Sequence, residues 1–542
     1  MGIYLNQVGY MTEAKKVATT TQAGAYQVFE AEAEQAVCEV EAVAKGFDEA
    51  AGEETYEIDF SQLTKAGRYY LAGQDGQVSH TFEVADKPYG ALHKDLMKAL
   101  YFQRCGCALE AKYAGVYTHA ACHTKPVVLL EDYVAKTANP QTFDMCGGWH
   151  DAGDFGRYST AAAVALGHIL YAYELFPESF GDSLNIPESG NGIPDILNEC
   201  LYELEWLIKM QREDGGVYHK LTAFNHAPFV MPEDDHDPFM LYPVSSMAVA
   251  DYAAIMALAS KVYANFKPEF AKEALFKAKK SWQWLEENPY VGFRNHEGSG
   301  TGEYGDARDE DERFWAACEL AKADPENAEK YLAVVEKYYK EVSCIDFGWI
   351  DVSALGAMAI MTDEAGVFAP ELYEEVSKVV FAEADRLIEI QKKSGYGIAM
   401  LPHDYVWGSN MAVCNRGMLL ILCAINCEGD EAEEYKEAAL GQLHYLLGRN
   451  AVDYSYVTGH GEHAFKHPHN RPTECDGIDD PMPGWVSGGP FRTPADEAAI
   501  KMIPKGTAPM KCYVDDWGSY STNEITIYWN SPAIFMTAYF MK

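Results

Sequence analysis

The hydrophobic pattern of this chain changes once, near residue 86, and that change limits the folds open to it. Before it, short runs of β-forming residues are separated by Gly, Asp and Gln. About seven such runs in roughly 85 residues are typical of a small immunoglobulin-like β-sandwich. The runs are Ile3–Val8, Lys16–Thr20, Tyr26–Glu30, Ala36–Val43, Thr55–Phe60, Arg68–Ala72 and Ser79–Val84. We therefore predict an all-β domain over residues 1–86.

Residues 87–542 carry the periodicity of helices instead. After Pro194, which suits a first helical turn, apolar residues recur at spacings of three and four through Ile208. Comparable patterns cover 92–113, 160–176, 245–263, 268–286, 312–322, 327–341, 353–362, 369–392, 410–425, 430–447 and 525–540. About a dozen helices with few strands between them indicate one large all-α domain. Such a set can close as a ring of helical hairpins, although the helix count does not establish closure.

The charge balance argues against several kinds of partner. Asp and Glu number 82 against 43 Lys and Arg, so the formal net charge is −39. A field of that sign repels phosphate backbones and anionic membrane surfaces. No uncharged apolar run approaches the ~18 residues that a membrane span needs. We therefore expect neither a nucleic-acid nor a membrane partner, and we predict a monomer.

The first residues and the cysteines bear on the cellular compartment. The chain starts without the basic segment and the long apolar stretch of a signal peptide. This predicts a cytoplasmic protein, or a secreted one if a leader has been removed. The 13 cysteines are scattered along the chain, which is typical of reduced thiols and leaves room for a metal site.

Long loops rich in Gly, Pro, His, Asp and Trp separate several predicted helices, and loops of this length are usually functional. They cover 141–158, 215–243, 292–311, 396–409 and 449–524. The first of them holds Asp151 and Asp154, three residues apart in a Gly-rich segment. In a helical turn these carboxylates would point the same way and could hold one water molecule. A Gly-rich turn with an Asp cap is the alternative.

A second candidate group surrounds Glu524, the one acid among apolar and aromatic neighbours just before the last predicted helix. Such surroundings disfavour the ionised carboxylate and raise its pKa, as a general acid requires near neutral pH. The alternative is a glutamate in the first turn of that helix, where the helix dipole favours a negative charge.

The segment 455–471 contains four histidines within ten residues: His460, His463, His467 and His469. This density is consistent with a metal site, and one hypothesis is a zinc hydrolase that uses this loop. However, Gly and Pro interrupt the segment and no helical pair of histidines is evident. A polar loop that hydrogen-bonds sugar hydroxyls is at least as good an interpretation.

Together these three segments resemble the signatures of glycoside hydrolase family 9, the cellulase family. One signature is matched at Tyr513, Asp515, Tyr520, Glu524, Thr526, Asn530 and Ser531. A second is matched at Ser455, Val457, Thr458, Gly461, Pro468, His469 and Arg471, with His463 where the family usually has Asn, Lys or Arg. Asp151–Asp154 resembles the family's base motif, and Leu5–Tyr10 resembles the immunoglobulin-like module that precedes some members.

The resemblance implies a fold and a set of catalytic roles. The helical domain would be an (α/α)6 barrel, and the enzyme would invert the anomeric configuration of β-1,4-glucans. Glu524 would be the general acid and Asp154 the general base, while Asp151 would help to hold the attacking water. Sugar contacts are expected from His469 and Arg471, and stacking surfaces from Trp407 and Trp529.

The implied activity is an endo-β-1,4-glucanase acting on cellulose-type or mixed-linkage glucans. The alternative is an exo-acting cellodextrinase or β-glucosidase that uses imported oligosaccharides. A non-catalytic glycan-binding protein on the same scaffold is disfavoured, because Asp151, Asp154 and Glu524 are all retained.

Two metal sites are also implied by the resemblance. Cys105, Cys122, His123 and His150 match a structural zinc site, and such a set of thiolates and imidazoles suits tetrahedral zinc. Asp311, Glu312 and Asp351 match a calcium site, whose oxygen ligands suit a hard cation. The alternatives are unrelated buried residues in the first case and a solvated acidic loop in the second.

Overall fold

The computed structural model describes residues 2–74 and 76–542, so Met1 and Asp75 of the predicted β domain lie outside the described residues. The chain forms two compact units. Unit 1 comprises Met1–Ala99, Glu383–Glu474 and Asp479–Lys542. Unit 2 comprises Leu100–Ala382 and Cys475–Ile478.

The N-terminal part of unit 1 is all β, as predicted. Its strands are β1 Ile3–Tyr4, β2 Gly9–Met11, β3 Val17–Thr20, β4 Gly24–Glu30, β5 Gln35–Asp48, β6 Glu53–Asp59, β7 Gly67–Gly73 and β8 Phe82–Ala85. They pair in the order β1-β3-β6-β5-β4-β7-β8-β2, and all pairs are antiparallel except β2–β8. Aromatic rings fill the core, where Tyr10 meets both Phe60 and Phe82 edge-on.

The first predicted strand is interrupted at Asn6. The side-chain oxygen of Asn6 accepts hydrogen bonds from the backbone nitrogens of Val8 (2.9 Å) and Gly9 (3.1 Å). This Asx turn competes with strand pairing, so β1 and β2 become separate strands with different partners.

The β module is fixed to the later segments of unit 1 by buried polar contacts. Asp48, at the end of β5, accepts a hydrogen bond of 2.8 Å from the backbone of Gly395. Arg449 donates to Thr19 and to Glu57, both at 3.0 Å. A buried ionic contact left without its partner would be strongly destabilising, so these pairs hold one arrangement of the β module.

Helices make up most of the remaining chain, and each predicted helix is present. The helices are α1 Gly90–Phe102, α2 Ala111–Ala114, α3 Leu130–Ala135, α4 Ser159–Leu175, α5 Asp195–Met210, α6 Ser246–Val262, α7 Pro268–Glu287, α8 Glu310–Ala323, α9 Ala328–Tyr338, α10 Ser353–Met361, α11 Pro370–Lys393, α12 Ser409–Ala424, α13 Gly429–Leu446, α14 Arg471–Cys475, α15 Glu497–Met502, α16 Tyr520–Asn523 and α17 Ile527–Met541. The central helices are buried on almost every side, as α10 and α17 show.

The predicted helix over 92–113 ends early, at Phe102, for a reason that matters to the site. Within unit 2, the backbone of Arg104 pairs with that of Trp149, and Cys105 donates to the carbonyl of Gly148 at 2.7 Å. Gly106 then turns at φ +83°, where a Cβ would stand 2.4 Å from the sulfur of Cys146. These contacts bring Cys105 next to the segment that carries Asp151.

A small sheet in unit 2 was not predicted. Its strands are β9 Val128–Leu129, β10 Arg157–Tyr158, β11 Lys220–Thr222 and β12 Met240–Leu241, in the order β10-β11-β12-β9. Strands of two or three residues are too short to show an alternating pattern, so the sequence indicated only loops there. Pairing of β10 with β11 fixes the chain just after Asp154.

Two findings bear on the compartment and the cysteines. Across the described residues, every helix is either too short or too polar to cross a bilayer. All 13 cysteines are free thiols, as their scattered spacing indicated.

Candidate active site

The Asp151–Asp154 segment of unit 2 forms a tight turn and not a helical one. The backbone nitrogen of Asp151 donates to the carbonyl of Gly156 at 2.9 Å, and helix α4 begins only at Ser159. The expectation of a helical turn at these carboxylates is therefore wrong. Both side chains are nevertheless buried, at 1% exposure for Asp151 and 7% for Asp154.

Asp151 is held by a tyrosine that the sequence did not single out. The hydroxyl of Tyr304 donates to Oδ2 of Asp151 at 2.6 Å, while Oδ1 has no hydrogen-bond partner among the described residues. Burial raises the pKa of Asp151 well above its usual value, the Tyr304 hydrogen bond lowers it, and nearby Asp154 raises it again. One oxygen of Asp151 is thus fixed, and the other is buried without a donor among the described residues.

Asp154 has a histidine neighbour within unit 2. Nδ1 of His226 lies 3.0 Å from Oδ2 of Asp154, and the backbone of Gly156 donates to the same oxygen at 3.2 Å. The His226 side chain is 39% exposed and that of Asp154 only 9%. A partly exposed imidazole beside a nearly buried carboxylate can orient that carboxylate and stabilise its charge.

The loop that presents Tyr304 is pinned by strand β11 and the residue before it. The Lys220 ammonium donates to Thr301 at 2.9 Å and to the carbonyl of Gly302 at 2.6 Å. His219 contacts the carbonyl of Glu303 at 2.9 Å. Burial lowers the pKa of Lys220 to about 7. Tyr304 itself has φ +47°, a costly conformation for a tyrosine that these anchors maintain.

In unit 1, Glu524 lies in extended backbone between helices α16 and α17. Its φ and ψ are −67° and 158°, and α17 begins at Ile527 with Thr526 as its N-cap. The alternative of a glutamate in the first turn of the last helix is therefore wrong. Glu524 pairs through its backbone with His469, and its carbonyl accepts from Gly488 at 2.8 Å.

Asp515 of the signature, together with Asn523, joins the Glu524 segment to the His–Arg loop. Asp515 accepts hydrogen bonds of 2.8 Å from the backbones of Lys466 and His467. Asn523 donates to Oδ1 of Asp515 at 3.1 Å and receives the hydroxyl of Tyr513 at 2.6 Å. These bonds explain why a glutamate signature needs polar residues at fixed distances before it.

His469 and Arg471 stand on this same framework. Nδ1 of His469 lies 2.6 Å from the carbonyl of Trp517, which places the proton on Nδ1 and leaves Nε2 as an acceptor. Arg471 is the first residue of α14 and is 6% exposed. The structure thus brings His469 and Glu524 side by side in one unit, joined by a β-bridge.

The two predicted stacking residues differ. Trp407 is 44% exposed, and its ring lies 5.3 Å from that of Tyr520, so it offers an aromatic surface. Trp529 is only 3% exposed, and its ring packs directly on Gly408 and Gly488. Burial of this kind does not support a stacking role for Trp529, whose ring forms part of the core.

The four predicted zinc ligands come together in unit 2. One donor atom from each of Cys105, Cys122, His123 and His150 lies within 4.8 Å of all the others. Two thiols and two imidazoles are a donor set that fits closed tetrahedral zinc. Nε2 of His123 contacts Asp235 at 3.1 Å, the outer carboxylate that zinc-binding histidines commonly have.

The acidic cluster is close to the predicted one but not identical. Asp306, Asp311 and Glu312 bring their carboxylates within 4.8 Å of one another. Asp351 lies near enough to raise the pKa of Asp311, but its Oδ1 accepts from the backbone and hydroxyl of Ser353. The structure therefore groups Asp306 with Asp311 and Glu312, with Asp351 beside them.

Burial makes this cluster electrostatically unfavourable by itself. Both oxygens of Glu312 and of neighbouring Asp251 are buried without a hydrogen-bond partner among the described residues. Burial raises the pKa of Asp311 to about 6 and raises the pKa values of Glu312 and Asp251 well above their usual range. Oxygen donors arranged in this way fit a hard cation.

The histidine-rich loop does not gather at one metal. His460 pairs with Asp95 at 3.0 Å, and His469 with the carbonyl of Trp517. Within the described residues, His463 alone of the four belongs to a group with metal-ligand geometry. The four histidines of the loop therefore do not form one shared ligand group.

The sequence missed the side chains that hold the motif residues. Tyr304, His226, Asp235 and Asp251 lie far along the chain from the groups they contact, whereas Asp306 lies only five residues before Asp311. The available signal was loop length: Tyr304 and Asp306 lie in the predicted functional loop 292–311, and His226 and Asp235 in 215–243.

An all-β module, a large helical domain and these buried carboxylates are the parts of a carbohydrate-hydrolysing enzyme. Comparison with known families supports this class. The model described as "Glycosyl hydrolase family 9" matches residues 89–537, and that described as "Cellulase N-terminal ig-like domain" matches residues 1–77. The chain belongs to glycosyl hydrolase family 9. The predicted fold class, an immunoglobulin-like sandwich followed by an (α/α)6 barrel, is confirmed.

Similar proteins cover the whole length of the chain. A cellodextrinase of Butyrivibrio fibrisolvens is 42% identical over 98% of both chains. Endoglucanase D of Acetivibrio thermocellus is 33% identical over all of this chain and 83% of its own. The solved structure of AaCel9A in complex with cellobiose-like isofagomine has a TM-score of 0.90 at 32% identity and covers both chains completely.

Proposed function

We propose that this glycoside hydrolase cleaves β-1,4-glucosidic bonds with inversion, using Glu524 as general acid and Asp154 as general base. Inversion needs two carboxyl groups about 6.5–9.5 Å apart, with room for a water molecule beside the base. The observation that carries the proposal is that every acidic motif position of the family is retained. Asp154 is in addition supported by His226, and Glu524 by the backbone of His469.

Asp151 would position the attacking water. Its Oδ2 is fixed by Tyr304, so its open Oδ1 can accept a hydrogen from that water. Asp154 would then remove a proton from the same water as the glycosidic bond breaks. The contact of 3.0 Å between Nδ1 of His226 and Oδ2 of Asp154 would hold the Asp154 carboxylate in place for this step.

On the acid side, Glu524 would donate its proton to the departing sugar oxygen. The apolar and aromatic neighbours in sequence favour the protonated form, as this role requires. His469 and Arg471 would contact the adjacent sugar, and the exposed ring of Trp407 would stack on a sugar face. The structure of AaCel9A in complex with cellobiose-like isofagomine supports a cello-oligosaccharide as the ligand.

Endo action on β-glucan chains is the main proposal, supported by relatives such as Endoglucanase D. Exo action on short cellodextrins is the second, and the cellodextrinase with 42% identity over nearly the full length favours it. Endo and exo action differ in how fast the length of the glucan substrate decreases as bonds are cleaved. An endo enzyme cuts anywhere along the chain, whereas an exo enzyme releases one small product from an end.

Product analysis over time on a soluble mixed-linkage β-glucan separates them. Early loss of viscosity with few new reducing ends supports endo action, and steady release of one sugar at constant viscosity supports exo action. Proton NMR of the first product should show the α-anomer, and a β-anomer would contradict inversion. Glu524→Gln and Asp154→Asn should each remove nearly all turnover while sugar binding remains, with wild type treated identically as the reference.

We further propose that both metal groups are structural. Cys105, Cys122, His123 and His150 would hold zinc, which would fasten the region of Cys105 to the segment just before Asp151. Asp306, Asp311 and Glu312 would hold calcium, together with Asp251. A cation would neutralise buried carboxylates that otherwise repel one another.

A further inference from the structure

A third group of metal-ligating side chains lies in unit 1, apart from the residues assigned above. His80, Asp453 and His463 each place one donor atom within 4.8 Å of the others. His80 precedes strand β8 of the β module, whereas Asp453 and His463 follow helix α13. Two imidazoles and a carboxylate are ligands that first-row divalent metals bind.

Hydrogen bonds orient both imidazoles for such a role. Nε2 of His80 lies 3.1 Å from Oδ2 of Asp453, and its Nδ1 lies 3.1 Å from Oε2 of Glu462. Nδ1 of His463 lies 2.8 Å from the backbone carbonyl of Asp453, so that nitrogen carries the hydrogen and Nε2 keeps its lone pair. In His463 one ring nitrogen is thus tied to a carbonyl and the other is left for a metal, the usual arrangement of ligating histidines. In His80 Glu462 holds Nδ1, and Nε2 faces the other ligand, Asp453.

The carboxylate and its backbone are equally fixed. Oδ1 of Asp453 is buried and has no hydrogen-bond partner among the described residues. Gln7 of the β module donates to the carbonyl of Asp453 at 2.9 Å and accepts from the backbone of His463 at 2.8 Å. One side chain therefore holds two of the three ligands in place, which lowers the entropic cost of binding an ion.

An ion pair without a metal accounts for only part of this arrangement. Hydrogen bonding to Asp453 raises the pKa of His80, so His80 could serve as an imidazolium between Asp453 and Glu462. That explanation leaves the buried Oδ1 of Asp453 without a function.

We propose that His80, Asp453 and His463 bind a divalent transition metal of the zinc class, with Glu462 as the outer partner of His80. Three protein ligands leave one position for water. The side chains of His80 and Asp453 are 25% and 32% exposed, so the ion can exchange with solvent. Bound metal would fasten the β module to the loop that leads to His469. This site does not depend on the proposed hydrolytic activity.

Cobalt titration of the metal-stripped full-length protein tests the site, with calcium in excess to saturate the acidic cluster. Cobalt at Cys105 and Cys122 gives thiolate charge-transfer bands, whereas cobalt at the proposed site gives only weak bands of nitrogen and oxygen ligands. We expect wild type to bind one more equivalent of non-thiolate cobalt than His463→Asn, which carries a residue usual for the family. His80→Asn should lose the same equivalent.

His403→Asn is the matched control, because His403 is 70% exposed and lies outside the cluster. It should bind as much cobalt and zinc as wild type. Zinc at about 100 times its Kd should raise the folded-to-unfolded ratio about 100-fold through this site, in wild type and control only. Equal zinc content by elemental analysis in wild type, His463→Asn and His80→Asn would overturn the proposal and leave His80 as an imidazolium clamp.

Discussion

The hydrogen bond from Tyr304 to Asp151 is the contact whose removal tests the proposed water-binding role most directly. Tyr304→Phe deletes one hydroxyl and leaves the ring against Tyr158 and Trp349. Oδ1 of Asp151 already has no partner among the described residues, so the variant leaves a buried carboxylate without its only strong donor. Hydrogen bonds to charged groups contribute about 1.5–3 kcal/mol.

At ~1.36 kcal/mol per tenfold change in rate, the loss of that bond should lower kcat/KM about 10- to 160-fold. The pH dependence of kcat/KM should change as well. Tyr304 lowers the pKa of Asp151, so its removal raises that pKa further and shifts the acidic limb of kcat/KM to higher pH. The assay is hydrolysis of a soluble cello-oligosaccharide across the acid and neutral range.

Tyr339→Phe provides the matched control. The Tyr339 hydroxyl also donates to a carboxylate, that of Glu375, at 2.7 Å, but at the exposed surface. Its loss should leave kcat/KM and the pH profile unchanged. The reasoning is refuted if Tyr304→Phe retains more than half of wild-type kcat/KM with an unshifted acidic limb, because Asp151 would then not need its fixed oxygen.

Three further outcomes follow from the metal groups and the two tryptophans. Cys122→Ser should lose one zinc and lower the thermal stability, as elemental analysis and melting curves would show, and an unchanged zinc content would remove the zinc proposal. Calcium should stabilise the protein more at about pH 7 than at about pH 5. The reason is that raised carboxyl pKa values, such as that of Asp311, make the calcium-free fold lose stability as pH rises. Equal stabilisation at the two pH values in calorimetry would contradict this. Trp529→Ala should lower the free energy of unfolding by about 3–5 kcal/mol, whereas Trp407→Ala should change it by no more than ~0.5 kcal/mol and raise KM for cello-oligosaccharides. Denaturation measures the free energy of unfolding, and steady-state kinetics measures KM. A stable Trp529→Ala protein with a raised KM would support the stacking role predicted for Trp529.

Sequence alone could predict those site residues whose contacts are with residues close to them in the sequence. The Glu524 signature is an example, since its residues Tyr513 and Asp515 each form a hydrogen bond with Asn523, ten and eight positions further on. The four zinc ligands were also predictable by resemblance, and the structure brings them together. The helices followed from hydrophobic periodicity, because long amphipathic segments must bury one face. The two compact units did not, since Glu383–Glu474 and Asp479–Lys542 belong to the same unit as Met1–Ala99.

Local conformation was predicted less well where tertiary contacts override it. The turn at Asp151 looked helical by spacing, yet a hydrogen bond to Gly156 and the pairing of β10 with β11 impose a different shape. Helix α1 stops at Phe102 because Cys105 pairs with the chain near Gly148. In each case, the local conformation was decided by residues more than 40 positions away or by a strand of two residues. Neither of these produces a hydrophobic periodicity that can be read from the sequence.

The partners of the motif residues were beyond sequence reasoning for a different reason. Tyr304 reaches Asp151 only because Lys220 and His219 hold the carbonyls just before it, and because the chain accepts φ +47° at a tyrosine. The positive φ of Tyr304 leaves no pattern in a single sequence, because the contacts of neighbouring residues are what stabilise that conformation. The same holds for His226 at Asp154. The motifs therefore identify the ionisable side chains of the candidate site. The folded loops determine which hydrogen-bond donors contact those side chains and so influence their protonation. The pH dependence of this enzyme should accordingly respond to substitutions in 219–226 and 301–304 that no motif contains.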